Sequence, residues 1–521
     1  MRSAISLLQS LRATPRRRWW TTFVLLAGLS GAWALATPLF ASPDEPAHAI
    51  RAAAVARGEL TGTEPAARSD IRPGSLLVDV PAVYARAGDV GCFAFYRNTT
   101  AACFTFSGST RDAPVATSAA KYPPTYYAVV GLPSLALPSA GGVYLMRLLS
   151  TLLFAALLAS AVVTVECFAT PWIVALGLAV AITPMMLFLG GLVNPNGLEI
   201  AAATTLWIGG LALVRAAGLG SVSPRLVART GIAAAVLTLT RSLSPLLLVV
   251  ILATLVVAAG AAPVRALLRL PSIRLWGAVV AVATAAQIAW IVVVKPLSSS
   301  EASSVARLSD SELLRATTGK SAFLYRGMIG IFGWLDTPAP YAVVLLWTMV
   351  LGLVVVLALA SGERRGVAAL GAAIAATVLV PIVGELREAR TSGLFWQGRY
   401  TLPIAVGIPI LAGVSIARSR WREVAPRRLA AIGVTVLAAA QVLAFAQTLR
   451  RYAVGYDGKL MYWIGPRWSP PLGALALTLA FAAAIGLFSV WLVTLDPAPV
   501  AGEQSTEAEP REGSSAGMQP P

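Results

Sequence analysis

The chain has 521 residues, 57% of them hydrophobic and 12% charged, with 41 lysines and arginines against 24 acidic residues and a formal net charge of +17. That balance excludes a soluble globular protein. It also argues against a nucleic-acid partner, because the basic residues sit in short clusters between apolar runs, where they orient a membrane protein rather than grip phosphates. Three cysteines and a single histidine leave no zinc site built of thiolates.

Residues 1–18 form a basic N-terminus with Arg12 and Arg16 to Arg18, which the positive-inside rule puts in the cytoplasm. The apolar run at 19–41 is long enough to span a bilayer and too long for a cleaved signal, so it reads as a signal anchor. Residues 42–142 read as an extracytoplasmic loop domain with juxtamembrane helices. Further spans are expected at 143–165, 171–190, 195–214, 228–243, 245–262, 275–294, 338–360, 366–384, 400–417, 429–447 and 472–494, which makes an all-α polytopic protein of about twelve transmembrane helices. Arg215, Arg225, Arg229, Arg265, Arg269, Arg274, Arg364, Arg365, Arg418, Arg420, Arg422, Arg427 and Arg428 all fall on the cytoplasmic side of this register. The register needs the apolar region 228–262 to break at Arg241-Ser-Leu-Ser-Pro245, where a proline either ends a helix or only kinks it. The tail 495–521 is rich in Pro, Gly, Ser and Glu and reads as disordered in the cytoplasm.

Ser42-Pro-Asp-Glu-Pro-Ala-His48 follows the first span and brings two carboxylates and the only histidine to a membrane surface. Ser42 and Glu45 have capping-box spacing, which accounts for Glu45 better than for Asp44. On the helix 47–59, Ile50, Ala53, Ala54 and Ala56 are expected on lipid, with Arg51 and Arg57 facing water or headgroups. Asp44 and His48 share a face. Cys92 and Cys103 are set for a disulfide if their segment lies outside the cytoplasm, and Cys167 reads as a small buried residue.

Lys121-Tyr-Pro-Pro-Thr-Tyr-Tyr127 is a proline-stiffened return to the membrane whose Lys121 and Tyr122 face the same side as Asp44. In Asn194-Pro-Asn-Gly-Leu-Glu199, Asn194 caps a helix with Pro195 at its first position, and Glu199 then needs a partner or a water-filled cavity. Trp334-Leu-Asp336-Thr-Pro reads as a cap for the next span. Gln397-Gly-Arg399-Tyr400 opens a span on the outer side, where orientation does not explain an arginine. A bound phosphate would, and it would equally explain Arg241 and Arg326.

Pro43 to His48, Tyr122 to Tyr127, Asn194 to Glu199 and Gln397 to Pro403, in that order, resemble the bacterial multispan membrane proteins of domain-of-unknown-function family 2142. That family is grouped by fold with the GT-C glycosyltransferases, which transfer a sugar from a polyprenyl-phosphate donor outside the cytoplasm. In those enzymes an acidic residue of the first outer loop is the catalytic base or a metal contact. The resemblance implies that role for Asp44, with Glu45 as the fallback.

The expected substrate contacts are His48, Lys121, Tyr122, Asn194, Asn196, Glu199, Arg241, Arg326, Gln397, Arg399 and Tyr400. The acceptor would be a cell-envelope glycan or lipid. No cofactor is required, although a divalent metal would assist. The alternatives are a transporter or flippase of lipid-linked precursors, which predicts ionisable residues near the middle of several helices, and a non-catalytic assembly partner with the same fold.

Overall fold

The computed structural model describes residues 11–66, 71, 74–296, 305–419 and 427–497. The first ten residues of the basic N-terminus, Arg420 and Arg422, and the tail from 498 to 521 lie outside the described residues.

Prolines at the first turn start many of the helices, where the missing N–H costs nothing and the fixed φ suits the helix. The first span, α1 (Pro15–Ala36), begins this way. It is followed by the juxtamembrane helix α2 (Glu45–Ala56), then β1 (Leu76–Pro81) paired antiparallel with β2 (Asp112–Thr117), and the short helices α3 (Thr125–Val130) and α4 (Pro133–Ala136). Between the strands, Cys92 and Cys103 are joined by a disulfide.

The bundle continues with α5 (Ala140–Thr164), α6 (Pro171–Ala181), α7 (Pro184–Gly190), α8 (Pro195–Gly218), α9 (Pro224–Thr240), α10 (Ser244–Ala259), α11 (Ala261–Arg269) and α12 (Pro271–Val294). Next come α13 (Asp310–Gly319), α14 (Ser321–Gly330), a two-residue hairpin of β3 (Ile331–Phe332) and β4 (Thr337–Pro338), and α15 (Tyr341–Ser361). The chain closes with α16 (Arg364–Ser392), α17 (Gly398–Ala405), α18 (Gly407–Arg418), α19 (Arg427–Val454) and α20 (Ala474–Val493). Helix α1 packs between α5 and α20, α8 against α5 and α9, and α6 against α18. Trp33 of α1 meets Phe188, Phe332, Phe445 and Phe481 at the centre.

Among the described residues nine helices are long and apolar enough to cross a membrane, or eleven counting two bent pairs. Helix α9, at 17 residues, is the remaining one of the expected twelve. The span expected at 171–190 is two helices bent by 70°, because Pro184 forces Thr183 into an extended conformation that caps α7. The span expected at 245–262 stops at Gly260, whose φ of 73° turns α11 away by 114°. Helix α11 has no buried residue, as suits a helix lying on a surface.

At Arg241 to Leu243 the chain reverses rather than kinks. A Cβ on Gly209 would touch Thr230, and one on Gly210 would touch Leu255, while Arg241 and Ser244 both reach Glu199. So α9 and α10 run in opposite directions along α8. Several segments expected to be loops are helical. Helix α16 runs on through Glu385 to Ser392, and α19 through Arg450 to Val454. Cys167, expected buried, is exposed at the end of the short turn after α5.

Candidate functional site

Asp44, Glu45 and Glu199 come together at the loop end of the bundle. Their environments differ, and the difference assigns their roles. The expected capping box does not form: Ser42 makes no such bond and Asp44 is the N-cap of α2, with no side-chain cap. Glu45 is instead fully buried and paired with Arg147 of α5, Nε to Oε1 at 2.8 Å and Nη2 to Oε2 at 2.7 Å. The Val193 N–H adds a third bond at 3.1 Å. The remaining Arg147 donors go to the carbonyls of Ala34, Thr37 and Pro38, so all five N–H groups are used. A carboxylate so enclosed has no access to a substrate, and the fallback role for Glu45 is withdrawn.

The same node positions Asp44. Glu45 is tied to Val193, and the Asn194 side chain donates to the Pro43 carbonyl at 3.2 Å. Asp44 stands between these tethers in the left-handed region, φ 63°, which aspartate tolerates better than most residues. Its side chain is 47% exposed and its Oδ2 accepts from Arg399 Nη2 at 2.6 Å. The rest of α2 is packed, not lipid-facing: Arg51 is buried, donates to the Tyr122 and Glu59 carbonyls and lies over Tyr127. Burial lowers the Arg51 guanidinium to about 10. Arg57 bonds Ser134 and Ala53 instead of facing water.

Arg399, 3% exposed, is delivered by a pinned loop. Lys320 Nζ holds Glu385 at 3.0 Å and the carbonyls of Leu394 and Trp396 at 3.2 Å, and Glu385 accepts from the Trp396 N–H. Gly398 fits only without a side chain, since a Cβ would lie 2.2 Å from the Leu324 carbonyl oxygen. Next to Arg399, the Tyr400 ring carries two cations: Arg241 at 4.6 Å and Arg399 at 5.0 Å from its centroid. Arg241 pairs with buried Glu199 at 3.2 Å. Glu199 is completed by Ser244 at 2.6 Å and Asn196 at 3.3 Å, so it has the partner its depth requires. As expected, Asn194 caps α8, accepting from the Asn196 N–H.

His48 is buried, its Nδ1 2.8 Å from the Tyr127 hydroxyl. Loss of water pushes its pKa down to about 3 against a weaker upward pull from Asp44, so the ring is neutral. Asp44, Arg241 and Arg399 act electrostatically on both His48 and Tyr122, which puts these residues in one cluster. Arg399 contributes one unsatisfied atom there, a buried Nε, and the Oε1 of Gln397, two positions before it in the chain, is also buried without a partner. Lys121 and Arg326 have no side-chain partner among the described residues, and no contact joins them to the cluster. Asp336, expected as a cap, instead joins Arg451 at 2.8 Å to the Phe95 N–H and so clasps the disulfide-closed segment to the bundle.

A divalent metal does not fit Asp44. Its neighbours are guanidinium groups, the other two carboxylates are enclosed, and among the described residues no three metal-binding side chains gather. Sequence reasoning missed Arg147, Lys320 and Ser244. Ser244 was visible within Arg241-Ser-Leu-Ser-Pro245, whereas Arg147 and Lys320 carry no local motif.

The family model for Predicted membrane protein (DUF2142) matches residues 23–408. Among solved structures, ArnT from Cupriavidus metallidurans bound to undecaprenyl phosphate is similar at 16% identity and a TM-score of 0.43, over 91% of this chain and 76% of that one. No curated protein sequence matches the chain.

Proposed function

The chain belongs to the family of predicted membrane proteins DUF2142, and we propose that it is a glycosyltransferase acting at the membrane surface. It uses a sugar carried on polyprenyl phosphate and an envelope glycan or lipid as acceptor. The observation that carries the reading is that Asp44 is the one open carboxylate of the cluster, held beside two cations that share the Tyr400 ring.

Arg399 and Arg241 hold the donor phosphate. Asp44 takes the proton of the acceptor hydroxyl as its oxygen attacks the anomeric carbon. The bond from that carbon to the phosphate oxygen breaks, and its electron pair leaves on the polyprenyl phosphate. The leaving phosphate gains negative charge along this path, so fixed guanidinium groups stabilise the transition state more than the ground state. Direct displacement inverts the anomeric configuration. Neutral His48 and the Glu199 node keep Asp44, Arg241 and Tyr400 in place. In this reading the arginine-rich end and both termini are cytoplasmic and the site opens outside.

The test supplies membranes that contain or lack the protein with radiolabelled polyprenyl-phosphate sugars and follows label out of the lipid donor. Protein-dependent transfer supports the reading. Movement of labelled lipid between leaflets without transfer would replace it with a flippase.

A further inference from the structure

We propose that in the resting protein Asp44 occupies Arg399 as an internal stand-in for the donor phosphate, so that binding the donor and releasing the base are a single exchange. The inference rests on the glycosyltransferase reading and adds an order to it: donor first, acceptor second.

The geometry of three carboxylates carries it. Glu45 takes the Nε and Nη2 edge of Arg147 with both oxygens, and Glu199 uses one oxygen for Arg241 and Asn196 and the other for Ser244. The Glu45–Arg147 pair is enclosed and saturated, and Glu199 is fully buried with both oxygens in use, although Arg241 keeps some exposure. Asp44 meets Arg399 with one oxygen on Nη2 alone, an atom that also donates to the Tyr400 hydroxyl at 3.2 Å, and the Nε of the Nε–Nη2 edge is buried with no partner. The cation is 3% exposed and the carboxylate 47%, so the anion can leave toward solvent while the guanidinium stays.

A phosphate has two oxygens at the spacing of that edge and takes Nε and Nη2 together, so it competes well against a carboxylate held at one point. Once displaced, Asp44 is released from Arg399, and its half-exposed carboxylate is open to the acceptor hydroxyl. Without donor the base is held on Arg399, which keeps it from acting on the acceptor alone.

The exchange is read by binding, independent of turnover. Undecaprenyl phosphate is titrated into the purified full-length protein in detergent, with undecaprenol and inorganic phosphate in parallel. Native protein is compared with Asp44→Asn, which suits the left-handed backbone at that position, and with Arg399→Lys. Removing a half-exposed charged competitor is expected to tighten undecaprenyl phosphate by about 3- to 30-fold and to leave undecaprenol unchanged. Losing the two-point edge in Arg399→Lys is expected to weaken it about 10-fold.

Equal or weaker binding by Asp44→Asn, or native affinity in Arg399→Lys, overturns the exchange. So does tightening seen with inorganic phosphate but not with the lipid. Transfer activity without tightening would sink the exchange and leave the enzyme standing, whereas tightening without any transfer would do the reverse.

Discussion

Replacing Glu45 by glutamine keeps the shape of the side chain and removes one charge from a pair that is 0% exposed on both sides. Arg147 would keep its bonds to the three carbonyls of Ala34, Thr37 and Pro38, but its buried charge would have no counter-ion, and one amide nitrogen would point at an N–H donor. Breaking a buried pair in this way costs about 3–5 kcal/mol. Arg147→Met should cost at least as much, since it strands Glu45 and three carbonyls. The double variant should fall short of the sum of the two by about 0.5–3 kcal/mol, because both single changes break the same contact. Equilibrium unfolding in detergent measures all three. A Glu45→Gln loss under about 1 kcal/mol, or strict additivity, would refute the argument that Glu45 is a structural anchor and would return it to the list of candidate bases.

Burial lowers His48 to about 3 from an ordinary 6.5, so the unfolded chain binds a proton that the folded one refuses. Stability from this group is complete above about 6.5 and falls with acidification, by about 2 kcal/mol between pH 7 and pH 5; the fall should be absent in His48→Asn. Tyr400→Leu removes the ring under both guanidinium groups and should weaken polyprenyl phosphate binding about 5- to 30-fold, while Tyr400→Phe should retain most of it. Gly398→Ala would drive a Cβ to 2.2 Å from the Leu324 carbonyl oxygen, and a melting point lowered by several degrees is expected, with loss of the Arg399 site before global unfolding.

The span pattern was legible because hydropathy and the arginine clusters agree, and the reversal at Arg241 follows from the same logic. The bend at Thr183-Pro184 was hidden inside one apolar run, since hydropathy does not register a change of direction. Asp44 and Arg399 were both legible as motifs, although their contact across 355 positions was not. Glu45 was misread for a physical reason: Ser42 and Glu45 have the spacing of a local cap, and only the fold reveals Arg147, 102 positions away, as a stronger partner. Arg147 lies inside an apolar span with no motif around it, so nothing local marks it. Arg51 and Arg57 were placed outward by helix periodicity, which cannot see the β1–β2 hairpin and α4 that cover α2.

The most direct test of the central claim is a single-turnover measurement with purified protein saturated with labelled polyprenyl-phosphate sugar, comparing native with Asp44→Asn. A base that takes the acceptor proton predicts a rate at least about a hundredfold lower, with the donor still bound and stability within about 1 kcal/mol of native. Transfer by Asp44→Asn at the native rate would contradict the account.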